Sequence, residues 1–125
     1  MQGKIVYISQ MISDQDKAAD FYTKVLGFKK VQDAPVPNSP RFLTVGLGDQ
    51  PFQLVLWPGT PGKAEAVYGR TPATCTIEVP DIQKAYAELK AKGVNFETEV
   101  LEYPWGWVAV FLDLDGNRLQ VRQGR

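Results

Sequence analysis

The chain has 125 residues, of which 44% are hydrophobic and 22% charged, enough for one globular domain or two closely packed half-domains. Its 14 Lys and Arg residues balance 14 Asp and Glu residues, so no basic surface for nucleic acid or acidic lipid is expected. No apolar run approaches the about 20 residues of a membrane span, and no signal peptide is evident. Because the single cysteine excludes an internal disulfide, the sequence predicts a cytoplasmic protein.

Two segments of the chain share one order of residues. Each begins with an Asp (Asp14 and Asp81), continues as an amphipathic run, and stops at a Gly (Gly27 and Gly93) before a strand. The two copies lie roughly half the chain apart, which indicates a duplicated unit rather than a solenoid array.

The first half predicts, in chain order, a strand at 4–12, a helix that Asp14 caps and that runs to about Leu26, and strands at 28–31, 41–47 and 52–57. Gly27 is expected to end the helix in the left-handed conformation. The segment 34–40 contains three prolines, which cannot donate to a ladder, and is predicted to be a loop.

The second half repeats this plan, with strands at 73–79, 94–100, 107–112 and 118–122, a helix at 81–92, and turns at 103–106 and 113–117. Each half is therefore βαβββ. The predicted organisation is a first module at 1–58, a connecting segment at 59–72 rich in Gly and Pro, and a second module at 73–125.

Strand alternation separates an apolar face from a mixed face in each half. The apolar faces are expected to receive the two helices. The mixed faces are assigned the following polar and aromatic side chains: Tyr7, Gln53, Trp57, Thr74, Thr76, Trp107, Phe111 and Gln120. Such a surface suits a small-molecule pocket, because large aromatic rings are unfavourable when they are exposed to solvent. Contact with solvent or with a partner subunit is the alternative.

Two motifs carry a family resemblance: Ser13-Asp14 followed by Phe21-Tyr22 and Leu26-Gly27-Phe28, and the turn Asp113-Leu-Asp-Gly-Asn117. In this order the chain resembles the vicinal oxygen chelate superfamily of glyoxalase I, extradiol dioxygenases, and fosfomycin- and bleomycin-resistance proteins. Leu114 stands where the family's final turn usually has Pro. The resemblance implies an α+β fold of two tandem βαβββ modules whose curled mixed sheets form a cup, the glyoxalase/bleomycin-resistance fold.

The resemblance also implies four positions at which metalloenzymes of the superfamily place His, Glu or Gln ligands. In this sequence those positions hold Tyr7, Gln53, Thr74 and Gln120. The chain has no histidine, and none of the four side chains is anionic. Divalent transition metals prefer imidazole and carboxylate ligands, and a Mg²⁺ or Mn²⁺ site would also require an anionic ligand. No metal and no other cofactor is therefore expected.

Nucleophilic catalysis has little support in this sequence. Without histidine there is no Ser-His or Cys-His pair. Cys75 falls on the apolar side of its strand and is interpreted as a buried, inert thiol rather than a reactive one. Asp113 and Asp115 lack the Gly and closing Glu of a calcium loop and are interpreted as turn residues.

Aromatic residues concentrate at 103–107, where the superfamily's corresponding loop closes over the ligand. Trp105 and Trp107, with Trp57 at the end of its strand, are expected to stack against a planar or cationic ligand, above a polar floor of Tyr7, Gln53, Thr74 and Gln120. The alternative is that these rings fill space in the core or at a dimer contact and bind no ligand. Three arginines are candidates to orient a carboxylate or phenolate, although surface Arg is commoner: Arg41, Arg118 and Arg122.

Two functions remain open at this point. The favoured one is a metal-independent protein that buries an aromatic drug or metabolite without catalysis. The alternative is a glyoxalase-like lyase or extradiol-dioxygenase-like metalloenzyme with atypical ligands. A homodimer is expected in either case, because open sheets have edges and apolar rims to cover. Ligand identity does not follow from the sequence.

Overall fold

The computed structural model describes residues 1–60 and 72–125, and the chain divides into two compact units, Met1–Gly62 and Lys63–Arg125. Most of the predicted connecting segment, 59–72, lies outside the described residues. Among the described residues, no helix combines the length and the apolar character that crossing a membrane would need.

The first unit is a four-stranded mixed sheet with one helical segment. Its strand order is β1-β4-β3-β2, with β1 and β4 parallel and the other two pairings antiparallel. A bulge interrupts the β2–β3 ladder between Lys30 and Gln32. Its elements are β1 (Tyr7–Ile12), α1 (Gln15–Asp20), a π-helical turn (Phe21–Val25), β2 (Lys29–Ala34), β3 (Phe42–Gly46) and β4 (Gln53–Pro58).

The second unit repeats the strand order as β5-β9-β8-β6, and its parallel pair is β5 with β9. An additional short strand, β7, pairs with β8. Its elements are β5 (Cys75–Glu78), α2 (Ile82–Ala91), β6 (Asn95–Phe96), β7 (Leu101–Tyr103), β8 (Gly106–Leu112) and β9 (Arg118–Gly124). The predicted architecture, α+β with two tandem βαβββ modules, is thus confirmed.

The next strand, β7, begins only at Leu101, and within the strand predicted at 94–100 only the two-residue β6 forms. Its ladder breaks at Thr98, whose hydroxyl accepts the Val110 N–H at 3.0 Å. The backbone N–H groups of Glu97 and Thr98 both approach the Val110 carbonyl, at 2.8 and 3.4 Å. A side chain has therefore taken a donor that a continuous ladder would use.

The duplicated helix signals are confirmed in both units. Asp14 and Asp81 have extended backbones, and their side chains accept from the backbone N–H groups of Lys17 and Lys84 at 3.0 and 3.1 Å. Gly27 and Gly93 end the helical segments with φ of 84° and 86°, a conformation that costs glycine little.

Each unit has a core on the helix side of its sheet. In the first unit, Gln10 of β1 donates to the buried Tyr22 hydroxyl at 3.1 Å, which places Gln10 on the helix side. Five apolar side chains on that side of the sheet are buried, namely Ile12, Leu43, Val45, Leu54 and Leu56, whereas Ile8 on the same side is 41% exposed. The opposite face of the sheet contains the polar and aromatic side chains that alternate with the buried ones.

In the second unit the prediction for Phe111 is wrong. Phe111 is 0% exposed and lies on the helix side, where its ring contacts Phe96 at 5.5 Å, and Phe96 contacts Tyr86 of α2 at 4.5 Å. The register explains this, because Phe111 lies opposite Leu119, a core residue of β9. The same alternation places Trp107 on the helix side.

Candidate functional site

The face of the first sheet that lies away from the helix is called here the first polar face. Register defines it, since residues opposite each other in a ladder share a side. Gln53 lies beside Tyr7, Trp57 beside Met11, and Thr44 beside both Val55 and Gln32. Its members used below are Tyr7, Gln32, Phe42, Thr44, Gln53, Val55 and Trp57.

Four of these side chains form one hydrogen-bonded cluster. Thr44 donates its hydroxyl to Gln53 Oε1 at 2.6 Å. Gln32 Nε2 donates to the same oxygen and to the Tyr7 hydroxyl, at 3.1 Å each. Thr44 is 0% exposed whereas Tyr7 is 44% exposed, so the cluster runs from the sheet surface outward. The cluster is uncharged.

Aromatic and aliphatic groups flank this cluster. The Phe42 ring meets the Tyr7 ring edge to face at 5.4 Å, which holds the phenol in place. Along β4, Val55 is buried and Trp57 half-buried on the same side as Gln53. At about 3.3 Å per residue, Trp57 lies about 13 Å from Gln53 along the strand. The face thus combines a hydrogen-bonding end with an apolar end.

The corresponding face of the second sheet, the second polar face, contains Thr76, Glu78, Gln120 and Arg122, which pair in register across β5 and β9. Gln120 Nε2 approaches Thr76 Oγ1 at 3.4 Å, a long hydrogen bond. Thr74 precedes β5, and its hydroxyl donates to the Arg118 carbonyl at 3.1 Å. Thr76, not the predicted Thr74, therefore accompanies Gln120.

The candidate arginines are paired with carboxylates. Arg118 contacts both oxygens of Glu97, at 2.6 and 2.9 Å, and this hydrogen bond raises the pKa of Arg118. Arg122 lies 3.4 Å from Glu78. Arg41 pairs with Asp16 at 2.7 Å and Asp33 at 3.2 Å. Because each cation already has an anionic partner, these arginines have less charge available for a ligand anion.

The two tryptophans of the 103–107 segment lie in different surroundings. Trp105, in the turn between β7 and β8, is 47% exposed, stacks on Tyr103 at 5.3 Å, and has the Arg122 guanidinium over its ring at 5.1 Å. Trp107 is half-buried on the helix side, and the Arg125 guanidinium lies over its ring, 4.6 Å from the ring centroid. Trp107 therefore does not join Gln120 on the second polar face.

The residues at the four aligned metal positions fit a divalent metal poorly. Gln53 Oε1, the oxygen that would coordinate, already accepts from Thr44 and Gln32. Within residues 1–60 and 72–125, no group of three or more His, Cys, Asp or Glu side chains is arranged to hold a metal ion.

Sequence reasoning missed Gln32, Phe42 and Thr44. Alternation along 41–47 puts Phe42 and Thr44 on one side and was sufficient to find them. Gln32 had no such signal, because the bulge between Lys30 and Gln32 shifts the register of its strand.

Comparison with known proteins agrees with this architecture. A family model of the Glyoxalase/Bleomycin resistance protein/Dioxygenase superfamily matches residues 4–121. The protein YurT of Bacillus subtilis (strain 168) is 39% identical over 126 residues, which span 96% of this chain and 98% of YurT. The crystal structure of UcmS2 has a TM-score of 0.83 at 30% identity and covers 98% of each chain. TnmS3, an antibiotic binding protein from Streptomyces sp. CB03234, has a TM-score of 0.79 at 28% identity, over 99% of this chain and 98% of TnmS3.

Proposed function

Because the chain belongs to the Glyoxalase/Bleomycin resistance protein/Dioxygenase superfamily, we propose that it binds a small aromatic molecule, an antibiotic or a metabolite, without metal and without catalysis. The observation that carries this proposal is the uncharged cluster of Tyr7, Gln32, Thr44 and Gln53, which adjoins the rings of the first polar face. Ligand sites combine apolar walls with a few polar groups in this way.

The relatives support the same class of function. TnmS3 is described as an antibiotic binding protein, and it matches this chain along nearly its whole length. A shared fold alone would not carry the function. The proposal therefore depends on the side chains of the polar faces as well.

Side-chain placement supports the following proposed ligand contacts. On the first polar face they are Tyr7, Gln53 and Trp57. On the second they are Trp105 and Gln120, with Thr76 in the role predicted for Thr74. Trp107 is not included, because its ring lies on the helix side of β8.

A ligand screen tests the proposal. Aromatic antibiotics and metabolites are added to the purified protein, and the melting temperature and tryptophan fluorescence are recorded. A ligand should raise the melting temperature by mass action, and it should quench fluorescence if it stacks on Trp57 or Trp105. The variant Trp57→Ala should retain its fold but lose about 1–3 kcal/mol of binding free energy.

The same preparation tests the metalloenzyme alternative. Protein purified without added ions is assayed for bound metal. Stoichiometric metal that is lost in a Gln53→Ala, Gln120→Ala variant would contradict the proposal and favour a glyoxalase-like or dioxygenase-like enzyme. A broad screen that yields no stabilising ligand would also contradict it.

The functional form is proposed to be a homodimer. β1 is an edge strand of the first sheet; Ile5, just before it, is 70% exposed, and Ile8, within it, is 41% exposed. An unpaired edge beside exposed apolar residues is typical of a surface that another chain covers. A second copy of this chain is the proposed occupant.

A further inference from the structure

The shortest hydrogen bond of the first polar face orients the Gln53 amide. Thr44 Oγ1 lies 2.6 Å from Gln53 Oε1. That distance is typical of an O–H···O hydrogen bond and shorter than the about 2.7–3.2 Å of an N–H···O hydrogen bond. The amide oxygen, rather than the amide nitrogen, therefore faces Thr44, and the Thr44 hydroxyl is the donor. Gln53 Nε2 lies on the other side of the amide group.

The orientation of Gln32 follows from that of Gln53. Since Gln53 Oε1 only accepts, the group of Gln32 that lies 3.1 Å from it must be the amide nitrogen. The second N–H of this nitrogen donates to the Tyr7 hydroxyl oxygen, also at 3.1 Å. Because this amide nitrogen cannot accept in return, the Tyr7 hydroxyl hydrogen is not used in its contact with Gln32.

Two donors of the cluster consequently remain unused. Gln53 Nε2 makes no hydrogen bond to another residue within 1–60 and 72–125, and the Tyr7 hydroxyl donates to none of them. Because Gln53 Oε1 already accepts twice, the Gln53 amide has only its N–H groups left for a ligand. Tyr7 is also the exposed member of the cluster.

We propose that the first polar face binds a neutral, carbonyl-type oxygen of the ligand through Gln53 Nε2 and the Tyr7 hydroxyl, with Gln32 and Thr44 as positioning residues. This inference rests on the proposed function and names the chemical group that the site recognises. A carbonyl oxygen has two lone pairs and accepts from both donors. A carboxylate or phosphate would lose more hydration and would find no cation within the cluster.

A matched pair of tricyclic probes tests the inference. Fluorenone and fluorene share one ring skeleton, and the carbonyl of fluorenone is a methylene in fluorene. We expect the wild-type protein to bind fluorenone about tenfold more tightly, the scale of one to two hydrogen bonds. Tryptophan quenching gives both affinities. The carbonyl stretching band of bound fluorenone should move to lower frequency.

Two variants separate the donor from its positioning residue. Gln53→Glu keeps an oxygen that accepts from Thr44 and Gln32 but replaces the amide donor with a carboxylate oxygen. It should weaken fluorenone binding about tenfold and leave fluorene binding within about twofold. Gln32→Leu should lower the fluorenone preference and return the carbonyl band toward its unbound position. Gln83→Glu, the same substitution at an exposed site on α2, should change neither affinity.

The outcomes distinguish this inference from the proposed function. Equal wild-type affinities for the two probes, or a fluorenone preference that survives Gln53→Glu, would overturn the inference while leaving aromatic binding intact. Failure of the wild-type protein to bind either probe would overturn it as well. If the antibiotic and metabolite screen also found no ligand, the proposed function would fail with it.

Discussion

Gly106 shows how one residue determines a hairpin. It begins β8 directly after the turn at 104–105, with φ of 147°. A Cβ added there would overlap the Gln123 carbonyl oxygen of β9. The position therefore excludes side chains for two reasons, an unfavourable backbone conformation and a close backbone neighbour.

We expect Gly106→Ala to destabilise the protein by at least about 2 kcal/mol, because strand backbone must move to admit the methyl group. Gly116→Ala is the matched control. Gly116 also has positive φ, 81°, but nothing lies within 4 Å of its added Cβ. Urea unfolding of both variants measures the difference, and equal losses would contradict the proposed steric clash.

Cys75 carries a prediction about alkaline pH. Burial raises the pKa of its thiol. The folded state then holds the proton more tightly than the unfolded state, so the stabilisation is complete below the ordinary thiol pKa and is lost as pH rises above it. The free energy of unfolding should fall from about pH 8.5 upward, and the Cys75→Ala variant should show a smaller fall. Parallel pH profiles for the two proteins would contradict this.

At the scale of elements, the β7–β8 hairpin separates two tryptophans that are close in sequence. The turn places Trp105 outside the ladder, against Tyr103 and Arg122. Strand alternation places Trp107 on the helix side of β8, where Arg125 covers its ring. Arg125 also pairs with Glu102 and donates to the Pro104 carbonyl at 2.9 Å, so the residue that follows β9 is held against the hairpin.

This difference predicts opposite effects of two similar substitutions. Trp105→Ala should lower stability little, since its ring is half exposed, but should weaken ligand binding by about 1–3 kcal/mol. Trp107→Ala should lower stability by about 1–3 kcal/mol and change ligand affinity little. Thermal unfolding and ligand titration of both variants give the comparison. A large loss of stability in Trp105→Ala, with unchanged affinity, would indicate that the Trp105 ring packs in the core and does not contact the ligand.

At the scale of the molecule, the two units repeat one strand order, each with its parallel pair at an edge. The repeat leaves β1 and β5 as corresponding edge strands. The exposed apolar side chains at β1 are the reason that this edge is proposed as the surface for a second copy.

The dimer proposal predicts the effect of charges near β1. Wild-type protein at tens of micromolar should have the mass of a dimer by light scattering, and an Ile5→Lys, Ile8→Lys variant should shift toward the monomer. Val36→Lys, which changes an exposed apolar residue in the loop 34–40, serves as the control and should remain dimeric. A monomeric wild-type protein would contradict the proposal.

Much of the fold could be predicted because its signals are local. The Asp14 and Asp81 caps, the glycine stops and the Asp113–Asn117 turn each depend on a few neighbouring residues. Strand alternation also assigned the correct sides to Gln53, Trp57 and Gln120. The Trp107 and Phe111 assignments failed because the side that each ring takes depends on how β8 pairs with β9, where Phe111 lies opposite the core residue Leu119.

The sequence by itself determined the duplication and the α+β class, since these follow from order, spacing and local backbone preferences, and the family resemblance implied the four aligned positions. Only the tertiary structure decided which side chains meet. Gln32 reaches Tyr7 and Gln53 across residues far apart in the chain, and the bulge in β2 sets its register. Pairing between distant strands depends on the whole sheet, and a shift of one residue would turn each side chain to the other face. Which groups of the cluster donate and which accept was likewise decided by the 2.6 Å contact between Thr44 and Gln53. The sequence names the donors and acceptors but does not give the distances between them.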